Sequence, residues 1–524
     1  MHKTSLICLF AATALAAVPV FAQTVVPGPY PGADVTEITE SRLGMALSAL
    51  PAYVEDTMER SGVPGIAVAV VHDGELVFAE GFGVREIGTS DPITPETVFM
   101  AASVSKPVSA TVAAAAVFNN EVDWDDVASS HLPTLALSDP YVRDHATIGD
   151  FFAHRSGLPH AAGDDLEDLG FDRDTIIARL LEHELDRFRL DYAYSNFGIT
   201  IGAEAVAAAA GMAWEDLADA YIFEPVGMPH SSYRHADYMA AENRAVIHAM
   251  DTGAPLALFE RDADPQAPAG GLSTNVLDMA NWLNLVLSGG TAGSREVFAP
   301  DDLLPAVQPQ IVSGPSPAAD GRSDAYGYGF NVGVTPTGRV MLSHSGAFVL
   351  GAATRVVLLP GDDLGIVVLT NAGPVGAAEA IGAYFIDLYQ FGEASRDWFA
   401  GFNGVMQGYM APVGDLAGLP TPPDAPENPD PSLYVGTYEN AYFGPLTIAE
   451  DAEGLVAELG PAPQRFRLEP WAQDVFAISP RTENAPRGSR SSVTFAKRED
   501  GARTVRIDYL DTDGLGTWME EAVQ

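Results

Sequence analysis

The chain has 524 residues, 47% of them hydrophobic, enough for two or three domains with sizeable cores. Its 28 Lys and Arg stand against 71 Asp and Glu, and the formal net charge of −43 makes nucleic acid and anionic lipid poor partners. The single cysteine, Cys8, lies in an N-terminal apolar stretch, away from any lipid-attachment position, so disulfides, thiol catalysis and cysteine-bound metal are excluded from the rest.

In chain order, residues 1–22 have the pattern of a secretory signal peptide. Lys3 supplies positive charge, Leu6 to Val18 is apolar, and Val20-Phe21-Ala22 offers a small residue before a cut at Gln23. A membrane anchor needs about 20 apolar residues and a stop-transfer flank, which this stretch lacks. The expectation is a soluble periplasmic or secreted protein. Residues 23–38 form a flexible Pro/Gly-rich leader. The spacing of Leu43, Leu47, Leu50, Val54 and Met58 predicts a helix over 39–61, interrupted near Pro51. Two β-rich runs, 65–71 and 75–78, flank Asp73-Gly74 and predict a hairpin. The Ala-rich stretch from Lys106 to about Asn119 predicts a buried helix, and 125–300 is mostly helical with loops around Gly163 and 262–268. Strand signals return at 327–334, 339–343, 353–359 and 365–371. Strands at both ends with helices between predict one α+β domain over 39–410 whose sheet joins its two ends. Residues 411–432 are a Pro-rich acidic linker. Short β-type runs then recur at 433–438, 446–449, 455–459, 464–468, 475–478, 492–497 and 504–509, which predicts a small antiparallel β-barrel over 433–524.

Lysine is nearly excluded: Lys3, Lys106 and Lys497 are the only three. Lys106 completes Ser103-Val104-Ser105-Lys106 ahead of the Ala-rich helix. A desolvated lysine can lose its proton and act as a base, which guanidinium cannot do. Residues three apart at a helix start have Cβ atoms roughly 5–6 Å apart, so Lys106 Nζ can reach Ser103 Oγ. Tyr194-Ser195-Asn196 brings a phenol, a hydroxyl and an amide together. His344-Ser345-Gly346 lies on an expected strand, where the glycine lets a substrate backbone lie against the strand edge.

With these three motifs in this order, residues 40–395 resemble the serine β-lactamase and penicillin-binding-protein superfamily. The likeness is nearest the branch of class C β-lactamases, D-aminopeptidases, D-Ala-D-Ala carboxypeptidases and esterases. The runs 148–159 (IGDFFAHRSGLP), 268–274 (PAGGLST) and 365–371 (GIVVLTN) are similar to that superfamily's structural signatures, and 433–446 (LYVGTYENAYFGPL) to its lipocalin-like C-terminal domain. The resemblance implies an antiparallel sheet flanked by helices, an all-helical subdomain and a terminal barrel. It makes Ser103 the nucleophile, Lys106 its partner and Tyr194 the second acid/base. Asn196 would hydrogen-bond substrate, His344, Ser345 and Gly346 would line the substrate strand, and the N–H groups of Ser103 and Ala347 would form an oxyanion hole. Whether Lys106 or Tyr194 takes the first proton stays open.

The departure is His344, where β-lactamases and most carboxypeptidases carry a lysine that meets the substrate carboxylate. Histidine is largely neutral at pH 7, which points away from β-lactams and towards small amides, D-amino-acid peptides or short-chain esters. From another class, a non-catalytic penicillin-recognising sensor has no need to keep Ser103, Lys106 and Tyr194. His154 is expected to be structural. Glu182-His183-Glu184 lacks the spacing that puts two metal ligands on one helix face and reads as a solvated charge cluster. Trp282 and Trp471 are expected in cores. No cofactor or metal is expected, and the partner is a small-molecule or short-peptide substrate.

Overall fold

The computed structural model of the protein describes residues 38–251, 254–426, 429–499 and 501–520. The expected signal peptide and all but the last residue of the leader lie outside them. Helix α1 (Glu40–Ser61) runs unbroken through Pro51 and stops at Gly62, whose φ of 75° is left-handed. An internal proline costs about 3 kcal/mol. The expected interruption is absent because Ala46, Leu50 and Val54 are fully buried against the sheet, and that packing offsets the lost bond.

The hairpin is strands β1 (Gly65–His72) and β2 (Glu75–Gly83). Helices α2 (Ser105–Phe118), α3 (Asp164–Asp168), α4 (Asn196–Ala210) and α5 (Val276–Leu287) lie in the long middle segment. Strands β3 (Ile311–Gly314), β4 (Asp324–Tyr326), β5 (Asn331–Val334), β6 (Val340–Phe348), β7 (Ala352–Leu359) and β8 (Leu364–Thr370) follow, then helices α6 (Ala377–Phe391) and α7 (Trp398–Tyr409). They form one antiparallel sheet in the order β2-β1-β8-β7-β6-β5-β4-β3. The first hairpin therefore pairs with the last strand, from Ile66↔Thr370 to His72↔Leu364, and the sheet joins the two ends of the segment.

Alternation along β1 explains its uninterrupted apolar run. Ile66, Val68 and Val70 pack with α1 and α6, whereas Ala67, Ala69 and Val71 join the core that contains α2 and α5. A strand covered on both faces reads as continuous hydrophobicity. The expected strand at 327–334 is shorter, Asn331–Val334, because Gly327–Phe330 turns tightly under α2. Gly329 has φ 78°, and a Cβ there would lie 2.5 Å from the Lys106 carbonyl oxygen.

Strands β9 (Gly436–Glu439), β10 (Leu446–Asp451), β11 (Gly454–Leu459), β12 (Gln464–Arg467), β13 (Glu469–Ala472), β14 (Val475–Ile478), β15 (Ser491–Lys497), β16 (Arg503–Ile507) and β17 (Thr517–Glu520) build a nearly closed antiparallel barrel. The sequence pattern missed β13, which carries Pro470, and the short β17. Barrel side chains such as Tyr442 and Trp518 belong to the same buried cluster as Phe151 and Phe197. Leu50→Ala is expected to cost about 2–5 kcal/mol, because Leu50 is completely buried between α1 and the sheet. Its urea midpoint should fall with an unchanged slope.

Candidate active site

Ser103 lies in a single 3₁₀ turn, Ala102–Val104, just before α2 and not within the α-helix itself. Ala102 holds φ at 47°, a left-handed conformation unusual for a residue with a side chain. Three contacts hold that turn. Ala101 N–H donates to Leu272 O (2.8 Å), Thr354 Oγ1 donates to Ala101 O (2.6 Å), and Ser105 Oγ donates to Ala102 O (2.6 Å). Strand β6 runs against it so closely that a Cβ on Gly346 would lie 2.3 Å from Ala101 O and 2.9 Å from Ser103 N. The glycine is thus required by the Ser103 turn, a stronger constraint than the substrate backbone it was expected to accommodate.

Lys106, fully buried on the first turn of α2, directs Nζ to three acceptors: Ser103 Oγ at 2.9 Å, Asn196 Oδ1 at 2.7 Å and Ala269 O at 2.9 Å. Burial lowers its pKa to about 7, opposed by the carboxylates of Asp164 and Glu167. In the neutral amine two N–H groups can still satisfy Asn196 and Ala269, which leaves the lone pair facing the serine hydroxyl. The Tyr194 ring caps this group from 4.6 Å. Burial pushes the Tyr194 phenol well above its ordinary value, partly countered by its hydrogen bond with Ser103.

The Tyr194 segment is positioned by the 148–159 run. Thr147 and Asp150 cap one another at the start of the Ile148–Phe152 helix, and Asp150 takes Arg155 and Arg189. His154 Nδ1 accepts from Ser195 N–H (3.1 Å), and its carbonyl accepts from Ala193 N–H (3.0 Å). Its ring is buried and packs 4.4 Å from that of Tyr194, so His154 shapes the site. Ser195 Oγ accepts from Gly198 N–H as the cap of α4. The Asn196 amide is committed at both ends, because its Nδ2 donates to Asp164 Oδ2 at 2.9 Å.

His344 is buried, and its two ring nitrogens are taken. Nδ1 lies 2.6 Å from Ser345 O and Nε2 lies 2.9 Å from Tyr326 Oη, so Nδ1 carries the proton and Nε2 accepts the phenol. Burial lowers its pKa to about 3, and Lys106 adds to the effect. Ser345, the next residue on the strand, points to the opposite face of the sheet, where Arg355 Nη1 donates to its Oγ (2.9 Å). Its side chain therefore does not join Ser103, Lys106, Tyr194 and His344.

A family model described as Beta-lactamase matches residues 50–391, which hold all of these groups. The chain belongs to the Beta-lactamase family. A second model, described as a domain of unknown function (DUF3471), matches residues 422–520, over the barrel. The unguisins hydrolase of Aspergillus campestris is 26% identical over 429 residues, 76% of this chain and 77% of its own length. Penicillin-binding protein 4 of Amycolatopsis lactamdurans is 26% identical over 396 residues, 72% of this chain and 93% of its own. Among solved structures, the octameric penicillin-binding protein homologue from Pyrococcus abyssi superposes with a TM-score of 0.57 at 17% identity. That match covers 90% of this chain and 99% of the homologue and shows the shared fold.

Sequence reasoning about this Beta-lactamase-family chain missed four contributors: Asp164, Tyr326, Tyr442 and the Ala269 carbonyl. Asp164 stands in a run, Asp164-Asp165-Leu166-Glu167-Asp168, that looks solvated, and no local pattern marks it as buried. The same misreading affected His183, which is 2% exposed and packs edge-on to Tyr442 at 4.8 Å, with Asp513 Oδ2 3.2 Å from its Nδ1. Trp282 is fully buried as expected, whereas Trp471 is half-buried beneath Arg490. Carbon-13 NMR of lysine Cε, uncrowded with three lysines in the chain, should show the Lys106 signal titrating near pH 7 and vanishing in Lys106→Ala. A Lys106 signal still fully protonated at pH 9 would contradict the site as described.

Proposed function

We propose that this chain is an exported serine hydrolase that cleaves small amides and D-amino-acid peptides through an acyl intermediate on Ser103. The observation that carries the reading is the completely buried Lys106 amine, 2.9 Å from Ser103 Oγ and with its pKa lowered to about 7. Ser103 Oγ attacks the substrate carbonyl while its proton passes to Lys106. Of the two candidate bases, Lys106 is the stronger claim, because burial holds Tyr194 as a neutral phenol. The Tyr194 phenol then protonates the leaving amine; in deacylation the resulting phenolate takes a proton from the attacking water, and the Lys106 ammonium returns its proton to Ser103 Oγ. The N–H groups of Ser103 and Ala347 fit the oxyanion, since β6 runs directly alongside the Ser103 amide.

Substrate class follows from the charges around the nucleophile. His344 is neutral and saturated, so the subsite offers no fixed cation to a β-lactam or D-Ala-D-Ala carboxylate. The acidic groups beside Lys106 are Asp164 and Glu167; burial raises both carboxyls above their ordinary range, so they bring hydrogen-bond acceptors and no cation to the site, which suits a substrate bearing a free amine. A D-aminopeptidase of Brucella anthropi, 27% identical over 313 residues, supports the same class. The neutral subsite also suits short-chain carboxyl esters, which is the second reading. Export rests on the Lys3 to Ala22 pattern, and the net charge of −43 keeps nucleic acid out of the list of partners.

The test compares D-alanine p-nitroanilide, its L-isomer and p-nitrophenyl butyrate, with Ser103→Ala as blank. Turnover of the D-anilide above the L-anilide, lost in the variant, is expected; ester turnover alone would make the enzyme an esterase. No serine-dependent turnover and no covalent adduct on Ser103 would sink the hydrolase reading. For the wild type, kcat/KM should fall about tenfold per pH unit below about pH 7, as Lys106 becomes protonated. Lys106→Arg should be inactive across the range, because guanidinium stays charged.

A further inference from the structure

Asp164 is a buried carboxylate that no motif of the sequence marks, yet it is one amide away from the base. Its Oδ2 accepts from Asn196 Nδ2 at 2.9 Å, and Asn196 Oδ1 in turn accepts from Lys106 Nζ at 2.7 Å. Its other oxygen, Oδ1, is buried with no hydrogen-bond partner. An amide can present either its oxygen or its NH₂, and a lysine with three acceptors around it needs the oxygen. The Asp164 acceptor selects that orientation. Gly163 makes the approach possible: φ there is 93°, and a Cβ would lie 2.7 Å from the ring of Phe197, the residue after Asn196.

The segment that carries Asp164 is gripped by the barrel. Tyr442 Oη, buried at the domain junction, accepts from Gly163 N–H (3.2 Å) and donates to Asp165 Oδ1 (2.7 Å), one residue on either side of Asp164. Asn484 Nδ2 donates to the Asp164 carbonyl (3.2 Å) and to Asp168 Oδ2 (3.0 Å), which also accepts from Thr482 Oγ1 (2.6 Å). Without these contacts, a five-residue helix bearing four carboxylates would have little to hold it against the mouth of α4.

We propose that Asp164 is a positioning residue for the Ser103–Lys106 pair, acting through Asn196, and that the barrel holds it in place through Tyr442 and Asn484. This rests on the serine-hydrolase reading but not on the identity of the substrate. It assigns the C-terminal barrel a part in arming the nucleophile. The titratable groups that face Asp164 are Lys106 from α2, Asp165, Glu167 and Asp168 from its own helix, and the phenols of Tyr194, Tyr409 and Tyr442; burial, then Glu167, pushes its carboxyl well above the ordinary range, against the pull of Lys106. Arg261 partly neutralises Glu167 through a 2.8 Å ion pair.

The test is the rate at which a fluorophosphonate labels Ser103, measured against pH on the full chain. Asp164→Leu removes both acceptor and charge, Asp164→Asn keeps an acceptor without the charge, and Tyr442→Phe removes one hydroxyl. The expected result for Asp164→Leu is a plateau rate lowered about tenfold or more, with the acid limb moved to lower pH because the Lys106 ammonium has lost support. Asp164→Asn should keep the plateau within about threefold and show the limb shift alone. Tyr442→Phe should lower the plateau in the same direction by a smaller factor, with near-ultraviolet circular dichroism unchanged.

Wild-type plateau and limb in a folded Asp164→Leu would overturn the proposal, as would a Tyr442→Phe variant that changes only Tm. If Asp164→Leu does not fold, the plateau of Tyr442→Phe decides, and an unmoved plateau overturns the proposal. Failure of the wild type to label at all would instead strike the hydrolase reading on which this one rests.

Discussion

The architecture around the site depends on keeping one amine out of water. A buried ammonium without partners would cost several kcal/mol, so the fold must supply either full hydrogen bonding or a shifted pKa, and at Lys106 it supplies both. Ala269 O comes from the short helix Ala267–Gly270, Asn196 from the start of α4 and Ser103 from the turn before α2. Three separate segments must therefore be in place before the lysine is satisfied. The Tyr194 ring, 4.6 Å from Nζ, covers a further side, and the tight turn at Gly329 packs against the Lys106 backbone carbonyl. The same desolvation that makes the residue expensive lowers its pKa to about 7, so the cost to the fold and the proposed reactivity have one cause.

The walls of the cleft differ in polarity. On the β6 side, His344, Tyr326, Tyr194 and His154 form an aromatic wall with no fixed charge, and both of its imidazoles are held neutral by burial, with Lys106 adding to the effect. On the α3 side, Glu167 is held by Gln266 and Arg261, and Asp164 by Asn196. Replacing the family's usual strand lysine by histidine therefore changes more than one contact. The site has no fixed cation on the β6 side, while the α3 side carries buried acidic groups whose pKa values burial raises. This asymmetry is the physical basis for reading the substrate as an amide or ester of an amine-bearing acid.

Much of this was legible in the sequence, for identifiable reasons. The hairpin at Asp73-Gly74 announced itself by turn chemistry, α2 by its alanines, and β1, β7 and β8 by apolar runs long enough to be covered on both faces. Ser103, Lys106, Tyr194 and His344 were found because their spacing carries chemistry, and the structure brings them together. Other features left no local trace. Strands of three or four residues such as β4 cannot show alternation, and Pro51 looked like a break because only tertiary burial keeps α1 intact. Ser345 was placed at the site by its triplet, yet a strand turns every second side chain to the other face. Asp164 and His183 sit among acidic neighbours that read as solvated; what buries them is the barrel, hundreds of residues further along.

That long-range burial is the reason to treat the two sheets as parts of one device. Glu483, on the same barrel loop as Thr482 and Asn484, accepts from Val349 N–H (2.6 Å) and Leu350 N–H (3.3 Å), in the turn that ends β6. Its second neighbour is Arg261, 3.8 Å away, which also pairs with Glu167 on α3. Burial raises the Glu483 carboxyl to about 8, against the pull of Arg261. Two backbone amides and a shared guanidinium fix this buried carboxyl in place. One loop thus grips both the strand that runs past Ser103 and the helix that orients Asn196. Any displacement of the barrel would shift both sides of the site together, so the spacing between Ser103, Lys106 and β6 is set across the domain boundary as well as within the sheet.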